Sequence, residues 1–578
     1  MADGFASVLS QMEETLRRGA ERQIKEYKER FVSAKKIYGP ILSSLVVEGF
    51  DYSSAAEAAQ AFFGSKQVRF AGIDGTEYSK PIFDLVVFFG GAYACTGTIS
   101  FGNSGIEVEY DVDSLEQSKG ICSCVPLYVN DLPEIDTSIA PPDGLEGAGS
   151  LDEDRIVTNS EIANRIMTFA EFFLALKLAS RPEGDIRVIL MDRTLSGELG
   201  SLVYDTSQRG LWKRISALIG YQVDGTPIDE NELYLSRHRI CNKRLGTLPP
   251  RGDYLPYAVL HLLEDGATME AVQIAEALGI PKSSVKRVEK TMRRLKSRGI
   301  VADILGAYRL SERYESYWQR VKKMVLEVGE SIFETAGDSP CMTVPAEQGR
   351  RYLTTVDLAF LTLFTINMLI EECWRRRILL VGITKDTAAS DFKRHVLPIL
   401  SNIGAFEEPL DPGTYRSLPN TDRLLLQAAS LMNHDQVHPP WALVEYDSAL
   451  KTIVPDAALG PLAVRGAIRN KIIPERLMVK SYVQLSMSAH DPMFRSNVLL
   501  IDRLVHPGFD AQEHQLCRFV NQYGGAREAV DVILHTKERG ISPLQNFTMA
   551  ILCSMTGSKN PELLAHNKTL FVADKVAK

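Results

Sequence analysis

Three carboxylates stand where chemistry on a phosphodiester could use them. Asp74 closes the apolar run VRFAGI ahead of Gly75, Glu171 lies inside the apolar segment MTFAEFFLALKLAS, and Asp192 closes the run IRVILM. Strands that end side by side set two carboxylates next to each other, and a helix packed across them leans a third over the pair. Oxygen ligands of this kind suit hard Mn²⁺ or Mg²⁺ ions. Two such ions about 3.5–4 Å apart promote phosphodiester hydrolysis, one activating water and one stabilising the leaving oxygen. Each residue also has a plainer reading, since Asp before Gly is a common turn residue and a Glu on a helix is commonly solvated.

The second constellation is cationic. From Lys282 to Arg298 the chain carries Lys282, Lys286, Arg287, Lys290, Arg293, Arg294, Lys296 and Arg298 against the single acid Glu289. Whole-chain charge does not explain this, because 65 Lys and Arg against 73 Asp and Glu leave a net −8. A local basic stripe is what a helix needs to neutralise phosphates. Lys282, Lys286, Arg287, Lys290, Arg293 and Arg294 are the expected DNA contacts, the alternatives being a solvated helix face or a protein-docking helix. No Asn or Gln that would read base edges lies among them, so backbone and shape binding is expected rather than sequence reading.

Periodicity shows which elements hold these groups. Apolar residues recur every three or four positions from Ala6 to Ile37, which predicts one long amphipathic helix, packed on its own chain or used between subunits. A strand ending on Asp74 and two further strands separated by glycine turns read as an antiparallel meander. Residues 131–155, rich in Pro, Gly and acids, read as a loop. A helix over 159–180 carries Glu171, and a buried strand ends on Asp192. Residues 254–310 interrupt this pattern with three short helices, the third opened by Pro281 and Ser283, and a hairpin around Gly306. That is the order of a winged helix-turn-helix. The α/β pattern then resumes with a helix over 355–374, a strand ending on Lys385, strands within 478–488 and 494–505, and helices at 526–535 and 544–555.

Strand with Asp, antiparallel strands, helix with Glu, strand with Asp is the order in which a ribonuclease H-like fold builds a metal site. The expected class is therefore α/β: a mixed-sheet core with flanking helices, split into 1–250 and 326–578 around a winged-helix insertion at 251–325. The longest apolar stretch, between Asp357 and Glu371, has 13 residues, short of the roughly 20 of a spanning helix, so no membrane association is expected. The acidic N-terminal sequence lacks the basic flank and apolar run of a signal peptide, and a cytoplasmic protein is expected. The eight cysteines form no CxxC pair and read as reduced, buried residues. His434 and His438 are four apart, but Pro439 and Pro440 argue against a helix that would bring them together.

The segments FAGIDGTEYS, MTFAEFFLALKLAS with VILMDRTLSGELGS, ILLVGITKDT, and VKSYVQLS with FRSNVLLIDR resemble, in order, successive blocks of the NurA nuclease family. The resemblance implies a manganese-dependent nuclease acting on DNA ends by 5′ to 3′ degradation or single-strand cleavage, in repair or anti-phage defence. It implies a homodimer working with a HerA-like hexameric ATPase. It sets Asp74, Glu171 and Asp192 on metal-ligand positions and Lys385 on a basic strand-end position suited to a scissile phosphate. The chain departs from the family twice. Arg193 follows Asp192 where the family has Gly, and GISPLQNFTMA holds no His where the family has one, His535 and His566 flanking it without matching. Hence the alternative of a catalytically inactive, DNA-binding scaffold that regulates the ATPase.

Overall fold

The computed structural model describes residues 11–22, 25, 35–102, 105–111, 120–136, 161–181, 186–207, 212, 214–237, 239, 254–264, 266–278, 280, 282–333, 342–346, 349–385, 387–390, 392–393, 397, 401, 410–447, 478–488, 491, 493–506, 509–510 and 541–555. Residues 11–22 are helical, with Met12 and Leu16 exposed. These turns therefore do not pack on the body of the chain, and much of the predicted 6–37 helix lies outside the described residues. Helix α1 (Lys35–Leu45) leads into β1 (Val46–Glu48), and α2 (Tyr52–Phe63) follows, with Asp51 capping its first turn and Gly64 ending it at φ 76°.

Two long strands, β2 (Gln67–Ile82) and β3 (Leu85–Gly102), pair antiparallel along their whole length. β4 (Gly105–Tyr110) pairs with the near half of β3 and β5 (Gly120–Tyr128) with the far half. Helix α3 (Glu161–Ser180) carries the chain back to β6 (Ile186–Met191), which lies parallel to β2, and α4 (Leu195–Asp205) follows.

The segment from 254 on contains α5 (Tyr254–Leu263), β7 (Met269–Glu270), α6 (Ala271–Ala277), α7 (Val285–Ser297), β8 (Val301–Ile304) and β9 (Ala307–Leu310). Its small antiparallel sheet has the order β8-β9-β7. Val259, Ile274, Val288 and Leu295 are buried here and belong to the same apolar cluster as the main body. α8 (Tyr317–Phe333) and α9 (Thr355–Arg376) come next. α9 is buried along almost its whole length and is fixed at its start by a reciprocal cap between Thr354 and Asp357. Later elements include β10 (Leu379–Thr384), α10 (Asp422–Met432), β11 (Trp441–Leu443), β12 (Met478–Gln484), β13 (Leu499–Leu504) and α11 (Pro543–Met555).

Among the described residues these strands build one eleven-stranded sheet of order β1-β11-β12-β13-β10-β6-β2-β3-β4, with β5 on β3 and Tyr446–Asp447 on β12. Counting core strands from β2, the centre runs third, second, first, fourth, fifth (β4-β3-β2-β6-β10). The first, fourth and fifth are parallel and the second is antiparallel. This is the ribonuclease H-like mixed sheet. One face packs on α3, α4 and α9 through Ile73, Ile189 and Met191, and the other on α2 and α11 through Phe70, Val188 and Leu190.

Two expectations are amended. Asp74 does not end its strand: β2 runs on to Ile82 because β3 continues to pair with it after β6 has stopped. Cys122 and Cys124 are exposed, because alternate residues of β5 face outward on a strand with one buried face, whereas Cys95, Cys373 and Cys553 are buried free thiols. The helix expected at 526–535 lies outside the described residues. Among the described residues no helix is long and apolar enough to cross a membrane.

The C-terminal strands are tied to α11 by a buried charge cluster. Arg503 on β13 is fully buried and donates to Glu445 Oε1 (2.6 Å) and to Asp510 Oδ1 (2.7 Å) and Oδ2 (2.9 Å). Glu445 in turn accepts from Ser542, whose hydroxyl accepts the Gln545 N–H at the start of α11. Arg503→Met removes the cation that pairs both acids and leaves their buried charges uncompensated by it. A loss of about 3–5 kcal/mol in unfolding free energy is expected in denaturant titrations.

Candidate active site

The parallel register of β2 and β6 sets the site. Ile73 lies opposite Met191, and Asp192 N–H donates to Ile73 O (3.1 Å), so Asp74 and Asp192 are the next residues on two neighbouring strands. Asp74 Oδ1 accepts the Gly75 N–H at 2.9 Å. Helix α3 crosses above and lowers Glu171, 3% exposed, onto Gly75. A Cβ on residue 75 would fall 2.5 Å from Glu171 Oε1 and 2.6 Å from Met167 Cγ. Gly75 is thus required for the close approach of the helix and not for a turn.

Burial pushes the Glu171 carboxyl up to about 8; Arg193 opposes that shift, and the nearby Asp74 and Glu198 charges add to it. Arg193 comes from the turn after β6. Its Nε contacts Glu171 Oε2 and its Nη1 lies 2.9 Å from Glu198 Oε1, with only 12% of the side chain exposed. Burial acts against the guanidinium's charge, and the two glutamates outweigh it and hold its pKa above the usual value. Glu77 is also raised by burial, with Arg193 again opposing. Arg193 is therefore the internal cation of an acidic centre.

The turn bearing Arg193 is gripped from the far side of the sheet. Asp502 on β13 accepts from Thr194 Oγ1 (3.0 Å) and Ser196 N–H (2.6 Å), and Thr194 also caps α4 through Gly197 N–H. Asp502 is fully buried, and desolvation raises its carboxyl against the opposing charge of Lys480, its cross-strand partner on β12. Between these elements β10 presents Gly382, where a Cβ would collide with Arg193 O and come within 3.1 Å of Leu195 N. Sequence reading missed Asp502, Lys480 and Glu198 and noticed Arg193 only as a departure. The available signal was an acid and a base inside the otherwise buried strands LLIDRL and MVKSYVQ.

Lys385 is the first residue past β10, half-buried and without an ion pair to the carboxylates. Along α7, Lys286, Arg287, Lys290, Arg293 and Arg294 are exposed, as is Lys282 just before it, while Val288, Met292 and Leu295 face inward. Lys296 is engaged with Asp303 (2.9 Å), and Arg298 lies over the Tyr234 ring. His535 and His566 lie outside the described residues.

The centre demands positive charge. Its donors are hard carboxylate oxygens, buried Glu77 Oε2 and Glu171 Oε2 have no well-formed hydrogen bond, and a guanidinium stands in their midst. In chemistry and charge these residues fit a divalent cation. No group of three or more His, Cys, Asp or Glu among the described residues converges closely enough to hold one.

Sheet order and the crossing carboxylate helix define a ribonuclease H-like protein. Within that class, residues 68–315 match the family model of the NurA domain. Solved structures similar to this chain include the NurA nuclease from Sulfolobus solfataricus, at 12% identity and TM-score 0.31 over 92% of each chain. NurA bound to dAMP and manganese matches at 13% identity and TM-score 0.33, over 86% of this chain and 87% of that one. NurA with manganese matches at 15% and 0.32, over 95% and 99%. No curated protein matches.

The tight seat of the 193–195 turn on Gly382 yields a test. Gly382→Ala lifts that turn from the sheet, with an expected loss of about 1–3 kcal/mol in stability. Amide hydrogen exchange should speed up at residues 193–198, where Asp502 and Thr194 hold the backbone, and not in α9.

Proposed function

We propose that this chain is a NurA-type metal-dependent deoxyribonuclease with Asp74, Glu171 and Asp192 as its ion-holding carboxylates. The observation that supports the reading is the Ile73–Met191 register, which makes Asp74 and Asp192 the next residues on two neighbouring strands, with Glu171 seated over the adjacent Gly75. When bound, Mn²⁺ or Mg²⁺ supplies Lewis acidity and charge at a phosphodiester. Asp74 and Asp192 would hold it from the strands and Glu171 from the helix. Lys385, at the end of a neighbouring strand, is proposed to meet the phosphate from the side. The finer reading is end processing in repair or defence, as a homodimer with a HerA-like hexameric ATPase.

The unit from 254 to 310 is read as a winged helix-turn-helix that holds DNA by its backbone. Its support is the helix order, the β8-β9-β7 sheet and the exposed cations of α7. The seating of Arg193 among the carboxylates favours a second reading, a catalytically inactive DNA-binding scaffold that regulates the ATPase.

Labelled single- and double-stranded DNA separates the two. The first reading expects Mn²⁺-dependent degradation that stops with EDTA and falls to background in Asp74→Ala; a wild type indistinguishable from Asp74→Ala selects the scaffold. For the basic helix, replacing Lys286, Arg287, Lys290 and Arg294 by Glu should weaken DNA binding alike for all sequences. It should also flatten the salt dependence, each lost phosphate contact removing about 0.9 from the slope of log K against log salt. Unchanged affinity and slope would make α7 a protein-docking helix.

A further inference from the structure

Arg193 has the wrong charge for a simple catalytic carboxylate site and the right charge to replace an ion. Its guanidinium touches Glu171 Oε2 and pairs with Glu198 Oε1 at 2.9 Å, and Glu77 lies within electrostatic reach. Its backbone cannot drift, because Asp502 clamps Thr194 and Ser196 and Gly382 lies directly beneath Arg193 O. These contacts hold the backbone of the turn and leave the long Arg193 side chain to reach either glutamate. Glu171, by contrast, is fixed: it is buried in the middle of α3, against Gly75.

We propose that Arg193 is an internal latch on the carboxylate centre, competing with a divalent cation for Glu171. In the metal-free protein the guanidinium bridges Glu171 and Glu198. When an ion binds, the side chain leaves Glu171 and stays with Glu198, which is the more exposed partner, at 26% against 4% for Glu171. A guanidinium and a divalent cation at the same buried carboxylate repel each other, and Glu198 on the first turn of α4 offers the guanidinium a second acid to stay with. The latch keeps the buried Glu171 paired while no ion is present, and it sets a threshold of ion concentration for loading the centre. The inference rests on the metal-site reading above and adds to it a residue that controls affinity.

The test is metal binding, read apart from cleavage. Full-length protein stripped with EDTA is titrated with Mn²⁺ alone, the free ion being followed by its electron paramagnetic resonance signal. Arg193→Met keeps the aliphatic stem and removes the charge, and it should bind Mn²⁺ at least about tenfold tighter than the wild type. Arg193→Lys should restore the weaker binding. In thermal melts, Arg193→Met should unfold earlier than the wild type in EDTA and gain more from Mn²⁺. A measurement on the unmutated chain covers a variant that does not fold. Phenylglyoxal modification of Arg193, mapped by mass spectrometry, should quicken when Mn²⁺ is added.

Equal Mn²⁺ affinity in wild type and Arg193→Met, or a modification rate indifferent to Mn²⁺ in a chain that binds it, overturns the latch and leaves the metal site standing. Absence of Mn²⁺ binding in wild type and variant alike overturns the latch and the metal site together.

Discussion

Everything at the carboxylate centre hangs on one parallel strand pairing. A single step of register between β2 and β6 would turn Asp192 to the opposite face and carry it one residue away from Asp74. The pairing is secured from both faces, since Ile73 and Met191 are buried against α3 and α9 while Phe70 and Val188 are buried against α2 and α11. A strand buried on both sides has no solvent face toward which to slip. The two packed layers therefore do more than stabilise the sheet: they fix which residues of the two strands become neighbours.

The sequence revealed the groups that follow simple periodicity. β6, β10, α3 and α9 announce themselves as apolar runs of the right length, and the order of Asp74, Glu171 and Asp192 raises the expectation of a shared site. What escaped is long-range in the chain. Asp502 lies about 300 residues from the turn it clamps, and nothing in the pattern LLIDRL says which turn that is. The continuation of β2 past Asp74 was equally hidden, because Asp-Gly signals a turn locally and only the long partner strand β3 overrides it. Gly75 read as part of a turn in sequence and Gly382 drew no reading; both turn out to be points where another segment presses on the backbone.

Two buried arginines show how differently the same ion chemistry can be used. Arg503 is sealed between Glu445 and Asp510 with every neighbour fixed, and all three are almost wholly buried. Arg193 is likewise held between two glutamates, but one of these, Glu198, is at the rim. A fully enclosed pair can only be made or broken, at high cost either way. A pair with one partner near solvent offers an alternative position for its cation at modest cost. Geometry of this kind separates a structural clamp from a movable charge.

The split of the sheet along the chain has a consequence for synthesis. β6 is complete once residue 191 has emerged, but its second neighbour, β10, begins at Leu379 and pairs with it from Leu379 to Gly382. At ribosomal rates of about 5–20 residues per second, the free edge of β6 waits roughly 10–40 s for its partner. The clamp on the Arg193 turn waits longer still, until Asp502 is made. A nascent chain therefore carries Asp74, Glu171 and Asp192 for much of its synthesis without β10 beside β6 and without the clamp on the turn that follows Asp192. An exposed, apolar parallel strand is also an invitation to wrong pairing. The neighbouring helices α3 and α4 are made close to β6 in the chain, so they can cover one face of the unfinished sheet while its edge is still open.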